Sequence, residues 1–523
     1  MIHLLLKNPS RLLPVGVIVG ILSLLCPPAA ARADYTTRID SQSNRGTWDG
    51  WGTSLAWWAN VFGRRTDLAN ILFTPQTTTL NGQQLPGLNL NIVRYNLGAS
   101  SNVPANGERM VASPNIPPFK QIQGYWLNWN STDPASSSWN WNLDGNQRSM
   151  LQFAKARGVN HFELFSNSPM WWMLYNHNPS GSPTGATDNL QSWNHQQHAV
   201  YMATVAKRAK DNWGITFDSV APFNEPSANW WVANGTQEGA HFDRSTQATV
   251  INHLRNELNA RGLTNTVIAA SDESYFDQAT TTWNSFDSMT RSAVGRVNVH
   301  GYQYGGGRRD LLHAAIAGKE LWNSEYGESD ASGMSLASNL NLDFRWLQMT
   351  AWSYWQPFDS GGWGLVQSNP GDNWIGNANP KYFVLAQYTR HIRPGMTILD
   401  SGDGNTVTAY DPVANKLVLV VTNYGTPQWI TFSLDDFASV ADGPAKYWRT
   451  ITGGNEFYRP YDNLTVSNGQ VRLWFPANTV QTIEIPNVYL TAVPEPGVGA
   501  LLAMGVLLGI CVYTKGLVRR MVT

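Results

Sequence analysis

Two glutamates close short apolar runs in this chain: Glu225 in Ala221-Pro222-Phe223-Asn224-Glu225-Pro226, and Glu325 in Leu321-Trp322-Asn323-Ser324-Glu325-Tyr326-Gly327. A glutamate in an arbitrary loop is usually a solvated surface charge; one that ends a buried strand is held where it can act on a ligand. Two such carboxyls facing each other can flank one glycosidic bond. Hydrolysis with retention needs them about 5–5.5 Å apart, so that an ionised one attacks the anomeric carbon while a protonated one donates to the departing oxygen. Proximity and partial desolvation are expected to hold the acid protonated near neutral pH, and hydrogen bonds to keep the nucleophile ionised.

Other constellations carry less. His195 and His198 stand three apart on a predicted helix, without a His-Glu-x-x-His pattern or a carboxylate at metal spacing, so no zinc site is read there. Gly305-Gly306-Gly307-Arg308-Arg309 lacks the Lys-Ser/Thr of a phosphate-binding loop and reads as a flexible loop at a pocket rim. No Ser-His-Asp arrangement stands out, although such triads are set by geometry. Cys26 and Cys511 lie in terminal apolar segments, which leaves the working body without a disulfide, a thiolate site or a Cys nucleophile. No metal or cofactor is called for. With 36 Lys+Arg against 37 Asp+Glu, the chain has no field to attract nucleic acid, an acidic membrane or a polyanion. A neutral, hydroxyl-rich partner suits it, and 24 Trp and 19 Tyr supply rings on which sugar faces stack, although at least half belong to the core on composition alone.

The elements that must position the two glutamates follow a repeating rhythm. From about residue 48 to 393, short β-rich runs alternate with amphipathic segments that end at glycines: Gly158, Gly214, Gly262, Gly295 and Gly318 each precede a strand-like run. The clearest helix is Ala248 to Arg261, with Ile251, Leu254 and Leu258 on one face. Strand candidates centre on Trp51, Ile92, Phe162, Val220, Ile268, Val299, Trp322 and Trp352. Eight alternating repeats imply an α/β fold, a (β/α)8 TIM barrel over 47–393, with chemistry at the carboxy ends of its strands. After Arg393-Pro394-Gly395 the pattern changes to period-two strands, exemplified by Lys416-Leu-Val-Leu-Val-Val-Thr. This predicts an antiparallel β-sandwich over 394–490, joined by a strand from residues 34–46. At the amino end, Lys7 and Arg11 precede an apolar run to Leu25 and then Ala31-Arg32-Ala33, the pattern of a secretory signal over 1–33. At the other end, an apolar stretch from Gly497 to Val512 precedes Lys515, Arg519 and Arg520, so membrane contact through that segment is expected.

Asn-Glu-Pro closing the fourth strand, a Glu closing the seventh, and the opening Asp49-Gly-Trp-Gly-Thr-Ser-Leu-Ala-Trp-Trp-Ala resemble glycoside hydrolase family 30, nearest its endo-β-1,6-galactanase branch, over about residues 35–490. The resemblance implies Glu225 as acid/base, Glu325 as nucleophile, Asn224 on the sugar 2-hydroxyl, and Arg94 beside the nucleophile. It also implies His300 and Tyr302 lining the pocket and Trp355 as an aromatic platform, with Trp57, Trp58, Trp171 and Trp172 as further aromatic contacts. Core packing is the competing reading for those tryptophans, as is a structural ion pair for Arg94. The segment at 491–523, with Val493-Pro494-Glu495-Pro496, resembles a PEP-CTERM sorting signal, which implies an exported protein handled by sorting machinery at the cell surface. The implied substrate is a β-galactan. Alternatives are a related β-1,6-glucanase, β-xylanase or exo-β-glycosidase, and, in another class, a non-catalytic surface carbohydrate-binding protein.

Overall fold

Each of the eight apolar runs forms a strand: β1 (Gly50–Ser54), β2 (Ile92–Leu97), β3 (His161–Ser166), β4 (Ser219–Ala221), β5 (Val267–Glu273), β6 (Arg296–His300), β7 (Glu320–Tyr326) and β8 (Ala351–Tyr354). In this computed structural model, which describes residues 34–490 apart from Ala317, they close into a barrel in chain order, every neighbouring pair parallel. The secretory signal expected at 1–33 and the sorting signal expected at 491–523 lie outside the described residues.

Alternation within the strands divides two interiors. Val93, Tyr95 and Leu97 of β2, and Phe162 and Leu164 of β3, join the apolar layer between barrel and helices. The residues between them, Arg94 and Glu163, are turned into the lumen and are bonded to one another there. Gly50 of the opening motif is required by this closure: its φ is +150°, and a Cβ there would fall 2.0 Å from Asn91 Oδ1.

The helix predicted from Ala248 spans Arg244–Ala260, with Val250, Ile251, Leu254 and Leu258 buried. Its first turn is hidden from a hydrophobic period because a buried polar residue, Gln247, anchors it by donating to Phe242 O (2.9 Å). Gly262, at φ +69°, accepts the left-handed turn that ends it.

Eight carboxy-terminal strands together with Tyr35–Arg38 make one nine-stranded sheet, curled so that its two halves share an apolar core including Leu417, Leu419, Ile430, Phe432 and Ile483. The long strand Glu456–Ser467 passes between the layers: it pairs with Gly443–Ile451 along its length, but with Gln470–Phe475 only at Val466 and Ser467. Tyr35–Arg38 pairs in parallel with Gln428–Ser433 at one edge. The opposite faces of the same strands bury Val418, Val420 and Val480 in the barrel's apolar cluster, which is why Lys416–Asn423 reads as nearly continuous hydrophobics. The buried helix Pro380–Thr389 pins the two parts. Tyr382 Oη donates to Ile71 O (2.9 Å) or Pro86 O (2.8 Å) on the barrel side, and Gln387 Nε2 donates to Thr450 Oγ1 (2.9 Å) on the sheet side.

Candidate active site

β4 runs out at Ala221, and the chain turns sharply at Glu225, whose φ is +50° and whose amide donates to Asp272 O (2.8 Å). Across the barrel, β7 carries Glu325 beside His300 of β6. The register slips by one residue on both flanks of β6: Ser324 is extra in β7, and Asp272 is extra in β5. The two bulged residues bond each other, Ser324 Oγ donating to Asp272 Oδ1 (2.5 Å), which fixes the strand ends that present the carboxyls.

An oxygen of Glu225, an oxygen of Glu325 and a ring nitrogen of His300 all lie within 4.8 Å of one another. That spacing fits a direct displacement by one carboxylate and is too short for the about 6.5–9.5 Å that leaves room for an intervening water. Glu325 Oε2 accepts from Arg94 Nη1 (2.9 Å), and its Oε1 accepts from Tyr302 Oη (2.9 Å). Glu225 Oε1 accepts from His300 Nδ1 (3.1 Å), and its Oε2 from Trp230 Nε1 (3.2 Å). Arg94 is fully buried over the Phe165 ring and also bonds Glu163 and Asp272. Behind it, Glu163 accepts from Arg296, Ser219 Oγ (2.8 Å) and Asn298 Nδ2 (3.0 Å).

The electrostatics follow from this crowding. Burial alone would depress the His300 imidazolium, but Glu325 and Asp272 carry it up to about 10. Burial opposes ionisation of Asp272 too, yet Arg94 and His300 hold its carboxyl well below the usual range. Burial of Glu325 outweighs the pull of His300 and Arg94 and drives its carboxyl up to about 7. Arg94, Arg296 and His300 face Glu163, Asp272, Glu225 and Glu325 in one buried network of ion pairs. One carboxylate and one carboxylic acid is the state that a displacement with acid assistance uses.

The pair opens into a cavity of about 520 Å³ whose lining includes Trp57, Asn224, Trp230, Tyr302, Trp355 and Trp363. Asn224 is buried with its Oδ1 lacking a partner in the protein, a polar group turned to a ligand's use. Trp57 and Trp355 meet edge to face at 5.1 Å, and Lys120 Nζ stands 3.9 Å over the Trp57 ring. The structure therefore brings together Glu225, Glu325, Asn224, Arg94, His300, Tyr302, Trp355 and Trp57. It places Trp171 and Trp58 in the apolar core, fully buried and away from this cavity, and Trp172 beneath a different depression. In the glycine-rich loop at 305–307, Gly306 O accepts from Arg309 Nη1 (3.0 Å), and Arg309 in turn donates to Asp343 Oδ1 (2.6 Å) and lies over the Phe276 ring. His198 is a core residue bonded to Pro222 O, and burial lowers it to about 4.

Sequence reading missed Asp272, Glu163, Trp230, Trp231, Trp363 and Lys120. Asp272 carried a usable signal, since Ser271-Asp272-Glu273 closes the apolar run of β5, as did Trp230-Trp231, which follow Glu225 within one turn of loop.

Known proteins share this sequence pattern and this fold. A family model described as O-Glycosyl hydrolase family 30 matches residues 34–292. An endo-beta-1,6-galactanase of Hypocrea rufa is 55% identical over 479 residues, which is 91% of this chain and 99% of that protein. Among solved structures, a conserved exported protein from Bacteroides fragilis superposes with a TM-score of 0.68 at 18% identity, covering 86% of this chain and 100% of the other. The catalytic domain of GH30 xylanase C from Talaromyces cellulolyticus gives 0.64 at 20% identity, covering 86% and 99%. At such identities the two structures speak for the fold alone.

Proposed function

The chain belongs to O-glycosyl hydrolase family 30, and from that premise we propose that it cleaves β-1,6-linked galactan within the chain, with retention of configuration. The observation that carries the substrate is the likeness to the Hypocrea rufa galactanase, which extends at 55% identity over nearly the whole of both proteins. The observation that carries the stereochemistry is the close approach of Glu225 and Glu325.

In the working complex a galactosyl unit rests against Trp57 and Trp355, with Asn224 offering its amide to the 2-hydroxyl. Glu325 Oε2 is held by Arg94, whereas Oε1 accepts from Tyr302, which lines the cavity, so Oε1 is taken as the attacking atom. As it closes on the anomeric carbon, Glu225 acts as the acid and donates its proton to the glycosidic oxygen. Glu225 then removes a proton from water, which displaces Glu325 from the same face the leaving sugar vacated. His300 and Trp230, both donors to Glu225, stabilise its ionised state between the steps.

The test is hydrolysis of linkage-defined galactans, glucans and xylans with products identified. A ladder of oligosaccharides from β-1,6-galactan, released first as the β-anomer, supports the reading; cleavage confined to glucan or xylan refutes it.

Location is part of the same proposal. The residue pattern at 1–33 supports export, and the PEP-CTERM-like pattern at 491–523 supports membrane contact and recognition by sorting machinery. Among the described residues no helix is long and apolar enough to cross a membrane. Fractionation of the native host with amino-terminal sequencing tests this: an exported form beginning at Asp34 is expected, and a cytoplasmic form retaining Met1 contradicts it.

A further inference from the structure

A second depression of about 320 Å³ lies on the same end of the barrel, built by the loops that follow β2 and β3. That volume is at the lower end of the about 300–1,000 Å³ found for ligand pockets. Three indoles shape it: Trp172 is buried as the floor, its Nε1 donating to Trp126 O (2.8 Å), while Trp129 and Trp193 stand 42% and 65% exposed. Single exposed tryptophans are ordinary on a protein surface; several around one hollow are not. Trp129 meets Trp172 at 5.9 Å between centroids, and Trp193 is braced edge to face by Tyr175 at 5.7 Å, so the rings are held rather than loose.

The rest of the lining is polar: Glu108, His177 and Gln191, with Asn194 behind them. Glu108 Oε2 stands 3.1 Å from His177 Nδ1, and Asn194 Nδ2 donates to Gln191 Oε1 (2.6 Å), which orients both pairs before any ligand arrives. Flat apolar faces edged by fixed donors and acceptors match a pyranose, whose faces are C–H and whose rim is hydroxyl. Neither Glu225 nor Glu325 lines this hollow, so no bond is broken there.

Its position names the occupant. His177 lines the second hollow and Ser180, three residues on, lines the catalytic cavity, so one segment forms the wall between them. Three residues span at most about 11 Å. We propose that this hollow is a second sugar-binding site that holds the polymer substrate, a β-galactan chain, next to the cleft. The proposal rests on the galactanase reading for its ligand. Holding a polymer at two points raises the local concentration of cleavable bonds without changing the chemistry of any one of them.

The experiment compares the full-length enzyme with a Trp129→Ala/Trp193→Ala variant. In gels containing soluble β-1,6-galactan, each is run in a Glu325→Ala background so that the ligand survives. The double variant is expected to lose most of its retardation. With Glu325 restored, its KM for the polymer rises about tenfold, the order that two lost ring contacts give, while kcat/KM on a short aryl galactobioside stays unchanged and reports an intact fold. Equal retardation with an unchanged ratio of polymer to short-substrate activity overturns the second site alone. A wild-type enzyme that leaves β-1,6-galactan intact overturns the galactanase reading and the assigned ligand with it.

Discussion

Replacing Tyr302 by Phe removes a single oxygen, the one that donates to Glu325 Oε1 at 2.9 Å. A hydrogen bond to a charged group contributes about 1.5–3 kcal/mol against about 0.5–1.5 for a neutral pair, so the bond is worth about 1–1.5 kcal/mol more to the carboxylate than to its neutral forms. Two effects of the same size follow. The first is on protonation: Glu325, already lifted to about 7 by burial, loses a contact that favours its ionised form and rises by about one further unit. Attack requires the carboxylate, so the ascending limb of kcat/KM against pH moves to higher pH. The second is on the covalent intermediate. There Oε1 is an ester oxygen, and its charge returns only as the bond to the sugar breaks, so deglycosylation slows about tenfold. Stopped-flow measurement with an activated aryl galactoside is expected to show a burst of released phenol in Tyr302→Phe that is larger than in the wild type, followed by a slower steady state. An unshifted pH limb together with an unchanged burst would refute the assignment of Oε1 as the attacking atom and of Tyr302 as its partner.

Other consequences of the geometry are as direct. Glu325→Ala is expected to abolish turnover, and azide to restore part of it with an α-configured product, because the anion enters from the face the carboxylate left; a β-product contradicts the assignment. Glu225→Gln should lose about 10²–10⁴ on substrates with poor leaving groups and far less on activated aryl glycosides. Equal losses on both classes, with glycosylation limiting, would remove Glu225 from the acid role. Away from the site, Glu238 is fully buried, accepts from Ser100 Oγ (2.6 Å) and Ile122 N (3.1 Å), and is raised by burial from 4.5 to about 8. The folded state therefore holds a proton that the unfolded chain releases. Its contribution is full below about 4.5 and is lost as pH rises through 8. Glu238→Gln mimics the protonated form, so melting curves at about pH 6 and pH 9 should differ less in the variant than in the wild type; an equal or larger fall in Tm contradicts this.

The barrel was legible because its signals are local. A buried parallel strand is a short apolar run, and a helix before it ends at a glycine, so Gly214 and Gly262 could be read without any partner in view. The two glutamates were legible for the same reason, each closing such a run. What could not be read is whatever depends on the far side of the barrel. Glu163 sits within an apolar run and gives no sign that it meets Arg94, Arg296 and Asn298 inside the lumen. The bulges at Ser324 and Asp272 are properties of strand pairs. Trp171 and Trp230 are equally aromatic in sequence, yet one is core and the other donates to Glu225, because loop paths decide exposure. The partners of Glu325 were visible in the residue types, whereas the depth of burial that raises its carboxyl was not.

Among the described residues, the strand Tyr35–Arg38 finds its only ladder partner in Gln428–Ser433, almost four hundred positions later. A chain that emerges amino end first must therefore carry this strand unpaired through the making of the barrel strands, and dock it only when Gln428–Ser433 has arrived. Until then Ile430 and its neighbours present a bare sheet edge, open to strands of other molecules. The strand thus acts as a latch that covers this edge of the sheet.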